Sequence, residues 1–213
     1  MKNIAQFDEE CDNDRIENAL KTRDSFIQTF PADSLRALTL ERYAYGKGDQ
    51  TFCYFVQTVT RAWAHIDSSS LFKFGIYFGK TKNDSTRKYR FTKKFGVDER
   101  VAFGAVKTAL VELIDLGRSA SNFVAIDANP LSPMFKAKIL SLYYPDSFLA
   151  VCSPEHIRLL AKEMEFPWGL PYSNYQNLLL ELKRSNSTTA QWSHPKFMLY
   201  LYSVYVWPSQ EMG

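Results

Sequence analysis

"LFKFGIYFG" at residues 71–79 and "KYRFTKKFG" at residues 88–96 decide the fold class. Phe72, Phe74, Ile76 and Phe78 alternate along one face of a strand, with Lys73, Gly75 and Tyr77 on the other. Past the polar loop "KTKNDST" (80–86), Tyr89 and Phe91 continue the apolar face while Lys88 and Arg90 share the outer one. This pattern predicts an antiparallel hairpin over about 71–92 with a wet, basic outer face. The loop exceeds the favoured length of about two to five residues, so the register stays open.

Around the hairpin the periodicity is helical. Asp14 with Glu17 predicts a capped helix carrying Ile16, Leu20, Arg23, Ile27 and Phe30, stopped by "FP" at 30–31. "ADSLRALTLERYA" (32–44) reads as a short segment running into a flexible "YGKGDQ" (45–50). Phe52, Phe55, Val56, Val59 and Trp63 predict an amphipathic helix over 51–64, and "DSSS" (67–70) a turn. Asp98 caps a helix with Ala102, Val106, Leu110, Leu113 and Gly117 along one side. "VAIDANPLSPMFKAKILSLYYP" (124–145) fits strand or buried helix equally. Ser153-Pro154 opens another helix, and Ser173 with Gln176 reads as a capping box for a helix through Leu182. "KFMLYLYSVYVW" (196–207) is apolar nearly all round and reads as a central core element. With neither repeat nor linker, the expectation is one α+β domain over 1–213, its C-terminal part mostly helical. The acidic start, residues 1–12, is expected to be disordered.

Of the 213 residues 46% are hydrophobic and 15% aromatic, enough for a sizeable core. No apolar run approaches the roughly 18 residues of a membrane span, and the start lacks a signal-peptide pattern. Cys11, Cys53 and Cys152 are odd in number and scattered, which supports neither a disulfide framework nor a zinc site. A reduced, cytoplasmic protein without membrane attachment is the expectation. The net charge of +3 is unevenly spread. Residues 71–96 hold eight basic residues against the single acid Asp84, a balance of +7, while the rest carries 18 basic and 22 acidic residues, or −4. Such an asymmetry speaks about partners rather than fold.

Catalytic signatures are missing. "YGKGDQTF" (45–52) lacks the spacing of a phosphate-cradling loop. Asp127 is followed by Lys136 and Lys138, but the second acid of a metal-dependent nuclease element is not there, and "ELK" (181–183) falls in a helix. His65, His156 and His194 stand apart, and a Cys152–His156 pair is weighed against a buried, inert thiol in "FLAVC" (148–152). No cofactor is called for. The basic hairpin remains, and it reads in two ways. It is a solvated lysine-rich edge that blunts strand pairing, or it grips phosphates with cations and offers aromatic faces to bases. On the second reading Lys73, Arg87, Lys88 and Arg90 hold the face, Lys80 and Lys82 the loop, and Lys93 and Lys94 lie beyond. Tyr77 and Tyr89 then meet base or sugar.

Several segments resemble the region preceding the motor in McrB-type AAA+ proteins of modification-dependent restriction systems. They are "FPADSLRALTLERYAYG" (30–46), "TFCYFVQTVT" (51–60), "SSSLFKFGIYF" (68–78) and "LSLYYPDSFLAVCSPEHIRLLA" (140–161), in the same order as in that group and spanning roughly 30–161. "WSHPKFMLYLY" (192–202) looks like a weaker continuation. The departure is "VQTVTRAWAHIDSSS" (56–70), which has no glycine where relatives carry some before the "KFGIY" strand. The resemblance implies a non-catalytic DNA-recognition module, sensing modified DNA, of a restriction or phage-defence system. Its implied partners are DNA and an AAA+ motor or nuclease subunit. The chain contains no motor, and an excised region and a free-standing relative both fit. The alternative is a protein-interaction adaptor of such a system, its basic face meeting an acidic partner.

Overall fold

The computed structural model describes residues 1, 3–66 and 70–208. Its helices are α1 (Ile4–Glu10), α2 (Asn13–Thr29), α3 (Leu40–Tyr43), α4 (Phe52–Gln57), α5 (Glu99–Ser119), α6 (Phe123–Ala128), α7 (Pro133–Tyr143), α8 (Pro154–Glu163), α9 (Tyr172–Ser185), α10 (Ser187–Ala190) and α11 (His194–Leu201), the last running into a π-helical turn, Tyr202–Val206. Between α4 and α5 stands one antiparallel pair, β1 (Ile76–Gly79) and β2 (Lys88–Phe91). Many helices around one small sheet make the chain α+β, as its alternating and helical periods predict. The ambiguous stretch 124–145 resolves as helix: α6 ends at Ala128, and Pro133 opens α7.

Two hydrophobic clusters fill the interior. The larger gathers α2, α4, the start of the hairpin, α5 and α7 around Phe26, Phe52, Trp63, Phe74 and Phe135. The smaller joins α8, α9 and α11 around Leu160, Leu179, Phe197 and Tyr200. Each fully buried ring or leucine contributes on the order of 2–3 kcal/mol, so aromatic content this high supports a substantial core. The run 196–207 belongs to the smaller cluster, with Phe197, Tyr200, Leu201 and Val206 buried.

Several local expectations are corrected. The acidic start is helical in α1 rather than disordered, because Phe7 inserts between Trp192 and Tyr200 at 5.6 and 5.4 Å between ring centroids. Its cluster contacts hold what composition alone would release. The cap of α2 is Asp12, whose side chain accepts from the Arg15 amide, and Leu20 is exposed. The helix expected over 51–64 breaks after Gln57. Thr60 turns its hydroxyl back onto the Phe55 and Val56 carbonyls, and its backbone leaves helical geometry. The turn expected at 67–70 lies mostly outside the described residues. The α5 cap is as read: Asp98 accepts from the Val101 amide at 2.8 Å, and Ala102, Val106, Leu110, Leu113 and Gly117 are all buried. Ser153 likewise caps α8.

The hairpin begins later than its alternation suggests. Leu71–Phe74 form a 3-10 turn, and Phe72 is 42% exposed instead of lying on the buried face. Gly75 sits at φ 77°, where a Cβ would stand 2.6 Å from Val106 Cγ2 and 3.0 Å from Phe95 Cε2. The glycine therefore lets the chain reverse hard against α5 before β1 begins. From there the register is Ile76↔Phe91, Tyr77↔Arg90, Phe78↔Tyr89 and Gly79↔Lys88. Tyr45 adds a parallel bridge on the other edge of β1, its carbonyl accepting from the Phe78 amide at 2.9 Å.

Lysines do unusual work inside. Lys138 is fully buried, with Nζ donating to the Thr60 carbonyl at 2.7 Å and to that of Ala64. Lys136 gathers the carbonyls of Ile126, Asp127 and Asn129 at the end of α6. Lys183 Nζ reaches the Ala190 carbonyl at 3.1 Å. Each meets carbonyls left over where a helix or turn stops, which the chain must satisfy somehow.

Candidate nucleic-acid interface

The outer end of the hairpin is organised by one acid. Asp84 accepts from the amide and hydroxyl of Thr81, both at 2.8 Å, which closes the 80–86 loop. The same carboxylate pairs with Lys88 Nζ at 3.0 Å and with Arg90. Its side chain is only 11% exposed, so the lone acid of the stretch faces inward while Lys88 remains 61% exposed. Arg87 bends back and donates to the carbonyls of Gly46 and Phe78 at 2.9 and 3.3 Å.

The aromatic face is decorated with cations. Phe78 and Tyr89 pack edge to face at 5.1 Å, and Lys47 Nζ lies 4.4 Å from the Phe78 centroid and 5.5 Å from that of Tyr89. Arg87 covers Phe78 at 5.4 Å. Burial raises the Tyr89 pKa, with help from the Glu41 and Glu99 carboxylates, so its phenol stays neutral at physiological pH. Two acids therefore flank this face as well.

Sequence reasoning did not single out Lys47. It sits between Gly46 and Gly48, both in left-handed backbone. A Cβ at Gly46 would strike the Phe78 carbonyl oxygen at 2.1 Å, so only glycine lets this loop lie on β1 and bring Lys47 over the rings. The signal was the Gly-Lys-Gly triplet.

The residues picked from sequence separate into three groups. Lys80, Lys82, Arg87 and Lys88 are exposed on the loop and strand end, and Lys93 and Lys94 are exposed beyond it, Lys94 donating to the Pro130 carbonyl at 2.7 Å. Arg90 is 20% exposed and committed to Asp84, and Tyr89 is half-buried. Lys73 and Tyr77 are buried at 7% and 8% exposure. Lys73 lies in the 3-10 turn rather than on a strand face, its Nζ donating to the Ile66 carbonyl at 2.8 Å. Tyr77 packs edge-on against Phe72 at 5.3 Å. The Lys73 ammonium is thus spent on a carbonyl, and the Tyr77 ring is spent on packing.

No family model, curated protein or solved structure matches the chain. The alternative chemistries weighed on sequence find other occupations for their residues. Cys152 is buried, its thiol pushed up to about 12 by desolvation, and His156 Nδ1 faces Tyr202 Oη at 3.1 Å. Asp127 accepts from backbone amides at the start of α9. Among the described residues no three His, Cys, Asp or Glu side chains come together as a metal-holding group, and no helix is long and apolar enough to cross a membrane.

Proposed function

We propose that this chain binds DNA through the outer end of its hairpin and serves as a recognition module of a restriction or phage-defence system, with no chemistry of its own. The observation that carries the DNA reading is the split of charge around Asp84. The acid is turned inward and shared between Lys88 and Arg90, while Lys80, Lys82, Arg87 and Lys88 stay exposed on the loop and strand end and Lys47 stays exposed over the Phe78–Tyr89 face. Lysines and arginines so placed neutralise phosphates and release counterions, which gives affinity without sequence preference. The Phe78–Tyr89 pair beneath Lys47 offers an apolar surface to sugar or base. The setting, and a possible motor or nuclease partner, rest on the resemblance of residues 30–161 to the region preceding the McrB-type motor.

The direct test is fluorescence anisotropy with a labelled duplex. Lys47, Lys80 and Lys82 changed together to Glu should abolish most binding and leave the circular dichroism spectrum and melting temperature unchanged. A control at Lys21, Lys162 and Arg184, three exposed cations on α2, α8 and α9, should bind within about threefold of wild type, the scale of one weakened phosphate contact. Equal losses in both variants would mean diffuse attraction rather than a hairpin site. Undiminished binding by the hairpin variant would reject the assignment.

A further inference from the structure

A second feature of the molecule lies away from the hairpin. Where α2, the 59–61 turn, α8 and the final π-helical turn meet, a cavity of about 360 Å³ opens to solvent. It sits on the seam between the two hydrophobic clusters, and Met198 in its wall packs against both. Its volume is within the roughly 300–1,000 Å³ usual for small-molecule sites.

The lining combines charge with aromatic surface. Arg15 and Arg61 both reach the cavity, both are exposed, and among the described residues neither has an ion pair with a carboxylate. The Arg15 guanidinium stands 5.7 Å from the Trp207 ring, which meets Tyr202 edge-on at 6.0 Å. Tyr202 Oη in turn faces His156 Nδ1 at 3.1 Å. No described lining residue is acidic. Burial lowers the His156 pKa, so His156 adds no positive charge at neutral pH beside the two arginines. Guanidinium forks match phosphate and carboxylate oxygens in pairs, and a Trp–Tyr corner with a methionine beside it suits a flat ring.

We propose that this cavity binds a small anion carrying a planar aromatic ring, a nucleoside 5′-monophosphate being the ligand that best fits it. Arg15 and Arg61 hold the anionic group, and Trp207, Tyr202 and Met198 receive the ring. The site is separate from the hairpin and does not depend on the DNA reading.

Isothermal titration calorimetry on the whole chain tests it. The probes are AMP, GMP, CMP and UMP, with adenosine, inorganic phosphate and indole-3-acetate as comparators. At least one monophosphate should bind with Kd below about 0.1 mM. Adenosine and phosphate, each lacking one half of the recognised chemistry, should bind at least tenfold more weakly. Arg15→Gln, Arg61→Gln and Trp207→Ala should each weaken that binding at least tenfold at unchanged melting temperature. The Lys47, Lys80, Lys82 to Glu variant should bind as wild type, which separates this site from the hairpin. Tighter binding of indole-3-acetate than of every nucleotide, lost in the same variants, would support the site and identify its ligand as an aromatic carboxylate. No heat with any ring-bearing anion at millimolar concentration, phosphate binding as tightly as the nucleotides, or binding indifferent to both arginine variants would overturn the proposal.

Discussion

The carboxylate of Asp127, at the end of α6, accepts from the backbone amides of Tyr172 and Ser173 at 2.6 and 3.2 Å and so caps α9 from 45 residues away in sequence. The local capping box read from Ser173 and Gln176 does not form. Ser173 instead donates to the Phe123 carbonyl, and Gln176 Nε2 donates to the Leu149 carbonyl at 2.6 Å. The cap is thus a tertiary contact fastening α6 to α9. Asp127→Ala should destabilise the fold by about 1–2 kcal/mol, the usual loss for a removed N-cap, and lower Tm by a few degrees. DNA binding should be untouched in the folded fraction. Thermal melts beside anisotropy check both halves, and a stable variant that loses binding would give Asp127 a role this account denies it.

Lys138 makes stability depend on pH in an uncommon direction. Burial lowers its pKa to about 7, with Cys152 opposing and Lys73 reinforcing the shift. In the unfolded chain the amine titrates near 10.4. Between those values the unfolded state holds the extra proton, so stability rises with pH by up to about 1.4 kcal/mol per unit. His156 and His194, also lowered by burial, add a loss of stability as pH falls below about 6.5. Above about pH 9 the trend reverses, because buried Tyr43, Tyr143, Cys53 and Cys152 keep protons that the unfolded chain releases. Urea melts from pH 7 to 8.5 should show the rise, and Lys138→Met should flatten it. An equal rise in the variant would show that Lys138 is charged in the native state.

The thiols differ in access. Cys53 and Cys152 are buried and raised by desolvation, whereas Cys11 is half-buried and only moderately raised. Iodoacetamide at pH 8 should label Cys11 alone in the native protein and all three in denaturant, with mass spectrometry reading the adducts. Rapid native labelling of Cys152 would mean that the α8 end of the core opens.

Two glycines of α5 should respond with opposite signs. A Cβ on Gly117 would stand 2.5 Å from Leu140 Cδ2 and 2.8 Å from Tyr144 Cδ2, whereas at Gly104 nothing lies within 4 Å. Alanine gains about 1 kcal/mol of helix propensity at either position, but overpacking at Gly117 costs about 1–3 kcal/mol. Gly104→Ala should therefore stabilise by close to 1 kcal/mol and Gly117→Ala should destabilise by about as much. Stabilisation by both would show that the α5–α7 contact yields easily.

Much of the fold was legible because it is written in local periodicity. Ala102 through Gly117, the Ser153-Pro154 start and the placing of Phe78 and Tyr89 on one hairpin face follow from spacing, while the register that pairs them had to come from the structure. What escaped depends on partners distant in sequence. Phe7 is ordered by Trp192 and Tyr200, α9 is capped by Asp127, and Gly75 reverses the chain against Val106. The same holds at the interface. The basic stretch was visible, but Lys73 turned inward to Ile66 and Lys47 arrived from a loop more than 30 residues upstream of β2. No count of charge along 71–96 separates those two lysines.

The measurement that tests the central claim most directly is the salt dependence of DNA binding, compared between wild type and the Lys47, Lys80, Lys82 to Glu variant. If about four hairpin cations touch phosphates, log Kobs should fall with log[salt] at a slope of roughly −3.6, a loss on the order of 150-fold between about 50 and 200 mM. The variant, with about one of those four contacts left, should lose most of its affinity and flatten the slope to roughly −0.9 while melting as wild type does. A folded variant with wild-type affinity and slope would show that the hairpin is a solvated edge and that DNA, if bound, is held elsewhere.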